Sequence, residues 1–290
     1  MQRKPRQLQP VMLRAPGSGA AGPETAGRVG WGCMVIDPDR ASAALVETWE
    51  RMVSVVPGGW ARSADGVVAA VTGVALPTLN GVWVGSMQAD PGVVADLLDH
   101  VAATGLPHCL QARPDAAPLL ADLMATRGMA VAEEIPLMVV DEPDALSTLP
   151  ATDGLTIRVL APAEADQHAR VAAAGFEAPV EHFLQLMTPE VLDLPGLRCY
   201  LGELDDEPAT TGLGVTIGSY VAIFNIATPP SHRRRGLAAA LTARAVEDGF
   251  ENGATWSWLQ SSKAGYELYE RLGFRTVARW RCWLQQATNP

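Results

Sequence analysis

Asn225-Ile226-Ala227-Thr228-Pro229-Pro230-Ser231-His232-Arg233-Arg234-Arg235-Gly236-Leu237-Ala238-Ala239-Ala240-Leu241 is the stretch that decides how the chain reads. An apolar run with the character of a buried strand stops at two prolines, and a helix opens at a glycine behind three arginines. The first turn of a helix carries amide groups with no intrahelical partner and a partial positive charge, so it can hold a phosphate. Gly236 and Ala238 leave room for an anion against the backbone, and Arg233, Arg234 and Arg235 add positive charge in an acidic protein. An isolated basic triplet is more often a solvated helix start. Here it is joined to a strand, a proline stop, a glycine and an Ala-rich helix.

Outward from this turn, the periodicity predicts strands at 155–160, 197–203, 210–217 and 220–227, with helices at 163–174 and 180–192 before them and at 236–252 after. A strand at 256–259, a helix at 263–272, Gly273 and a strand at 274–283 close the chain. The pattern describes an α/β (mixed α+β) fold: a mixed, mostly antiparallel sheet flanked by helices. The first half ends in the same way, with a strand at 108–111, a helix at 116–127, Gly128 and a strand at 129–140. Both glycines suit the left-handed position that closes a helix. The halves therefore read as two tandem copies, with Met124 standing where the second copy has Tyr269. In the first copy the stretch corresponding to the arginine turn, 84–92, has no arginine and sets Asp90 at a helix start, where it caps the helix and repels phosphate.

The polar, proline-punctuated segment 141–154 is the joint. The expected organisation is a flexible tail over 1–30, a degenerate copy over 31–145, and the copy with the phosphate turn over 151–290. The degenerate copy is expected to brace the other or to shape its acceptor pocket.

The chain has 290 residues, 48% hydrophobic and 19% charged, a globular balance for one large domain or two ordinary ones. Lys plus Arg is 22 against 32 Asp plus Glu, a net charge of -10, which argues against wrapping nucleic acid. No run of 18 apolar residues and no apolar block near the N-terminus suggest a membrane span or a signal peptide, so a cytoplasmic protein without a membrane partner is expected. Cys33, Cys109, Cys199 and Cys282 form no paired motif, which fits a reducing compartment. His100, His108, His168, His182 and His232 show no ligand spacing, and no metal is expected. Trp256, Trp258, Trp280 and Trp283 alternate along two strands as core residues do. The glycine-rich run 212–218 lies between strands with no helix to receive a dinucleotide.

In this order and spacing, Arg233-x-x-Gly236-x-Ala238 and Leu268-Tyr269-Glu270-Arg271-Leu272-Gly273-Phe274 resemble the signatures of the GNAT acyltransferases. The likeness covers about residues 155 to 285, and tandem members of that family with one worn copy are what the repeat suggests. The resemblance implies acetyl-CoA as co-substrate, with the backbone of Ile226, Ala227 and Thr228 along its pantetheine arm. It also implies that the amides of Arg234, Arg235, Gly236, Leu237, Ala238 and Ala239 take the pyrophosphate, Arg233 opening the motif. Tyr269 would be the general acid for the thiolate of CoA, and a strand amide would polarise the thioester carbonyl.

Two positions depart from the family. Ser262 replaces an Asn that often contacts the arm, and Ser257 replaces a Glu that serves as base. The base is left open among Glu177, Glu181, His182 and a water chain at Asn225. The implied activity is N-acetyl transfer to a primary amine by direct attack in a ternary complex. The first 150 residues carry 10 basic and 16 acidic groups and the rest 12 and 16, that is -6 and -4, which suits a cationic acceptor. A monomer or a homodimer is compatible with the sequence. The alternatives are a non-catalytic CoA-binding module and a transferase that carries a different acyl group.

Overall fold

The computed structural model describes residues 35–141, 146 and 152–285. The tail expected over 1–30, Cys33 and most of the joint lie outside the described residues. The first half contains α1 (Pro38–Val53), β1 (Trp60–Ala64), β2 (Val67–Val71), β3 (Asn80–Val84), α2 (Pro91–Ala102), β4 (Cys109–Ala112), α3 (Ala117–Thr126) and β5 (Met129–Val140). The second contains β6 (Leu155–Val159), α4 (Ala165–Phe176), α5 (Val180–Leu186), α6 (Pro189–Leu192), β7 (Leu197–Leu204), β8 (Glu207–Ile217) and β9 (Tyr220–Ala227). It ends with α7 (Leu237–Glu251), β10 (Trp256–Gln260), α8 (Tyr266–Arg271) and β11 (Arg275–Gln285).

Local chemistry explains the helix starts. Asp37 caps α1 by accepting from the Arg40 amide at 2.8 Å, with Pro38 in the first turn. Asp90 caps α2 in the same way through the Gly92 amide at 2.7 Å, with Pro91 behind it. The single helix expected over 180–192 is two. Pro189 has no N–H to continue a helical ladder, so α5 stops at Leu186 and the proline starts α6 in its first position. The helix expected over 263–272 is shorter, Tyr266–Arg271, with Gly265 at its start beneath the Tyr269 ring.

One mixed sheet holds all these strands in the order β1-β2-β3-β4-β11-β5-β10-β9-β8-β7-β6. Neighbours run antiparallel except β3 beside β4 and β9 beside β10, and each of those pairs is bridged by one helix, α2 or α7. The last strand of each half is exchanged. β11 takes its ladders from β4 and β5, both in the first half, while β5 pairs with β11 and with β10 of the second. The described residues accordingly fall in one compact unit.

The sheet is covered on both faces. On one, a continuous core joins Val53 and Trp83 to Val191, Leu213, Trp256, Trp258 and Trp280 beneath α1 and α4–α6. On the other, α2 and α3 cover the first half with Leu98, Leu120 and Met124, and α7 covers the second with Leu241 and Val246. All four tryptophans of the terminal strands are buried.

Candidate functional site

The local distortion that makes the site is a bulge in β9. Its ladder with β8 runs from Ile217↔Tyr220 to Leu213↔Phe224 and resumes at Thr211↔Ala227, so Asn225 and Ile226 stand opposite Gly212 alone. Asn225 carries the kink in a left-handed backbone (φ 51°). Gly212 leaves room there for the Ile226 and Leu241 side-chain ends: a Cβ would lie 2.4 Å from Ile226 Cδ1 and 2.8 Å from Leu241 Cδ2, so those side chains would have to shift. Before the bulge, Tyr220, Ala222 and Phe224 face the α1 side and Val221 and Ile223 face α7. The extra residue then inverts the alternation: Ile226 packs on the α7 side, and Ala227 joins the small core under α4.

Beyond the bulge β9 leaves its neighbour. It is paired with β10 only from Tyr220↔Trp256 to Ala222↔Trp258, although β9 continues to Ala227 and β10 to Gln260. The last residues of the two strands diverge, leaving the β10-facing edge of β9 unpaired along Phe224 to Ala227. Ser257 sits in the last closed part of the V, fully buried, its hydroxyl donating to the Val221 carbonyl at 2.9 Å.

At the mouth of the V the chain turns through Thr228 and a single 3-10 turn at Pro230–His232 into α7. Thr210 Oγ1 donates to the Ala227 carbonyl at 3.0 Å and lies 2.9 Å from Thr228 Oγ1, fixing the strand end. Arg233 braces the loop from inside: its guanidinium donates to the carbonyls of Thr228 (3.1 Å) and Gly175 (2.8 Å) and to Glu177 (2.8 Å). Arg234 and Gly236 both adopt left-handed backbone, φ 67° and 80°. Gly236 is the N-cap of α7 and supplies no side-chain acceptor. Its carbonyl accepts the first helical bond, from Ala240 at 3.0 Å. Among the described residues, the N–H groups of Arg234, Arg235, Gly236, Leu237, Ala238 and Ala239 have no hydrogen-bond partner, and Arg234 and Arg235 are exposed without an ion pair. Six consecutive free donors at a helix start, beside two unpaired guanidinium groups, make an anion seat.

Tyr269 lies on α8, which follows β10 as α7 follows β9, and since β9 and β10 are parallel both helices begin beyond the C-terminal ends of these strands. Ile226, Ala239 and Tyr269 all pack against the same apolar cluster. The Tyr269 ring rests on Gly265, where a Cβ would come within 2.9 Å of it, and meets Phe274 edge-on at 5.9 Å. Its hydroxyl has no partner among the described residues, and burial pushes the phenol up to about 12. Ser262 is exposed, and its Oγ accepts from the Gly265 amide at 3.2 Å, which starts α8.

Residues 168–274 match the acetyltransferase (GNAT) family model. That segment belongs to the GNAT superfamily. The GNAT fold reaches well beyond the matched segment. The structure of a GCN5-related N-acetyltransferase from Kribbella flavida is similar with a TM-score of 0.64 and 23% identity, over 88% of this chain and 97% of that one. A second GCN5-related N-acetyltransferase, from Sphaerobacter thermophilus, gives 0.51 and 19% over 75% and 79%. A tandem GNAT protein from the clavulanic acid biosynthesis pathway gives 0.52 and 16% over 80% and 83%. None of the curated proteins compared with the chain matches it. The chemistry of the GNAT family is acyl transfer.

The first half lacks the opened strand pair: β3 and β4 stay in register from Gly81↔Cys109 to Val84↔Ala112. The turn that follows β3 is filled from within by Arg113, which donates to the Gly85 carbonyl at 3.2 Å and pairs with Asp39 and Asp115. Among the residues considered for the base, Glu177 is held by Arg233, Glu181 is exposed on α5, and the buried His182 Nδ1 has no partner. No cluster of three or more potential metal ligands occurs among the described residues. Sequence reasoning missed the bracing role of Arg233 and the distorted backbone of Asn225.

Proposed function

We propose that the chain is an N-acyltransferase that moves the acyl group of a CoA thioester, acetyl-CoA being the smallest donor, onto a primary amine. The observation that carries this is the run of six unpartnered amides at the start of α7, beside the opened β9–β10 pair. The diphosphate of CoA would sit on the amides of Arg234 to Ala239, with Arg234 and Arg235 adding charge. The pantetheine arm would then run back along Ile226, Ala227 and Thr228, with the Ser262 hydroxyl as a further contact. Residues 151–290 form the catalytic copy in this reading, and residues 31–145 the degenerate one.

The chemistry asks little of the protein beyond position and polarity. A backbone N–H in the V takes the charge that builds on the carbonyl oxygen as the amine nitrogen attacks carbon. The C–S bond breaks, Tyr269 gives its proton to the departing sulfur, and the amine releases one proton to solvent. A phenol near 12 is protonated at neutral pH and matches a proton donor better than a base. Ser257 cannot serve as base, because its hydroxyl is spent on Val221 inside the sheet.

That same serine favours one rival reading, a CoA-binding module that does not turn over. Calorimetric titration of CoA, run beside thiol release over a panel of amines, separates the two. Binding together with amine-dependent thiol release supports transfer, binding alone supports the module, and no binding removes both.

A further inference from the structure

On the α1 side of the bulge lies an apolar cavity of about 50 Å³ that the reaction as described leaves unused. Its walls are Trp49, Met52 and Val53 of α1, Leu186 of α5, Val191 of α6 and Phe224 of β9. The two halves of the chain thus build it together. Trp49 is held by a stack on the buried Trp83 at a centroid distance of 4.1 Å. Two lining residues are polar. The Thr72 hydroxyl is engaged, accepting from the Val74 amide at 3.2 Å, and Asn225 stands at the bulge itself.

We infer that this cavity receives the hydrocarbon tail of the acyl group, so that the preferred donor carries a short branched chain longer than acetyl. The inference rests on the donor reading above. An arm seated on the Gly236 turn runs back past Thr228, Ala227 and Ile226, which brings its thioester to Asn225 and Phe224, where β9 has separated from β10. Both residues line the cavity. Its lining holds no charged side chain, so nothing in it can take a proton from an ammonium group or solvate one, whereas a hydrocarbon tail needs neither. The fit is limited. At roughly 10–15 Å³ for each water-sized occupant, the space holds about four, or a branched group of about three to four carbons. In this arrangement the first half does not bind CoA; it supplies the wall that measures the acyl chain.

The test needs no knowledge of the amine. The full chain is titrated calorimetrically with CoA, acetyl-, propionyl-, isobutyryl-, isovaleryl- and octanoyl-CoA. Each added carbon that enters the cavity should tighten binding about fourfold, so isovaleryl-CoA should bind at least about tenfold tighter than acetyl-CoA, with octanoyl-CoA falling back. Filling the space with Leu186→Trp should bring the ratio of isovaleryl- to acetyl-CoA affinity toward one. If that variant does not fold, the wild-type series alone decides. A series flat within twofold, in a chain that binds CoA, overturns the acyl pocket and leaves the donor reading intact. Absence of CoA binding altogether overturns both.

Discussion

Arg233 and Glu177 are joined at 2.8 Å, so the arginine that opens the family signature grips the end of α4 and not open solvent. Glu177 closes that helix in a left-handed conformation (φ 55°), and the same guanidinium reaches the Gly175 and Thr228 carbonyls. One planar fork thus links the helix end, the strand end and the anion turn. Lys has the charge but not the fork. Arg233→Lys is expected to weaken CoA binding roughly fivefold to tenfold, with the salt dependence of binding unchanged, because what is lost is loop position and not contact charge. Calorimetry at two ionic strengths checks it, and a steeper or shallower salt slope in the variant would assign Arg233 to the phosphate instead.

Arg235 is exposed and unpaired among the described residues, and its charge stands next to the free amides. Reversing it with Arg235→Glu places a carboxylate where a diphosphate is expected. CoA affinity should fall at least about tenfold at low salt, and the penalty should shrink toward 0.5 M salt as screening shortens the reach of both charges. Unchanged binding would move the cofactor away from this turn.

Tyr269 should separate binding from chemistry. Tyr269→Phe keeps the ring against Gly265 and Phe274 and removes only the proton, so CoA affinity should hold while turnover drops about a hundredfold. The sign of the pH effect follows from the raised phenol. An acid near 12 stays protonated through pH 10, so the wild-type rate should rise as the amine deprotonates and then stay level to pH 10. A descending limb between pH 8 and 10 would mean that a different group donates the proton.

Much of this was readable from the residues, and the failures share a cause. The β9 limits, Tyr220 to Ala227, coincide with the expected strand because a Gly218 turn and the Pro229-Pro230 pair punctuate it locally. Asp90 capping α2 was equally local. What could not be read is the choice of partner. β5 and β11 both carry apolar, strand-forming patterns, and no periodicity says that each lies within the other's half. Arg233 and Glu177 are far apart in sequence, and their pairing depends on how α4 lies over the sheet. Left-handed Asn225 is set by the bulge, a property of two strands together.

The exchange of terminal strands makes the halves interdependent. Residues 151–290 alone would carry β11 with no ladder partner and would leave the β10 edge open where β5 belongs. Such edges unfold or pair between molecules. The isolated fragment is expected to be insoluble or to lack a cooperative transition by circular dichroism, and co-expression with residues 31–145 should restore one. A soluble, cooperatively folding 151–290 fragment would show that the exchange contributes little to stability.

His168 gives the chain a defined acid sensitivity. The ring is fully buried on α4, with Nδ1 2.7 Å from Thr211 Oγ1 and Nε2 without a partner. The Thr211 hydroxyl already donates to the Tyr200 carbonyl at 2.8 Å, so Nδ1 is the donor; a second N–H at the buried Nε2 would have no acceptor, which favours the neutral ring. Burial depresses its pKa to about 4, against 6.5 for a free side chain. Unfolding therefore takes up a proton between those values. The stability contribution is complete above pH 6.5 and is lost as pH falls toward 4, at about 1.4 kcal/mol per unit, or about 3 kcal/mol in all. His168→Gln removes this titration. The stability of wild type minus variant, from urea midpoints, should be constant from pH 7 to 8 and decrease with that slope from 6.5 down to 4.5. A difference independent of pH would mean that the ring is hydrated or already charged in the native protein.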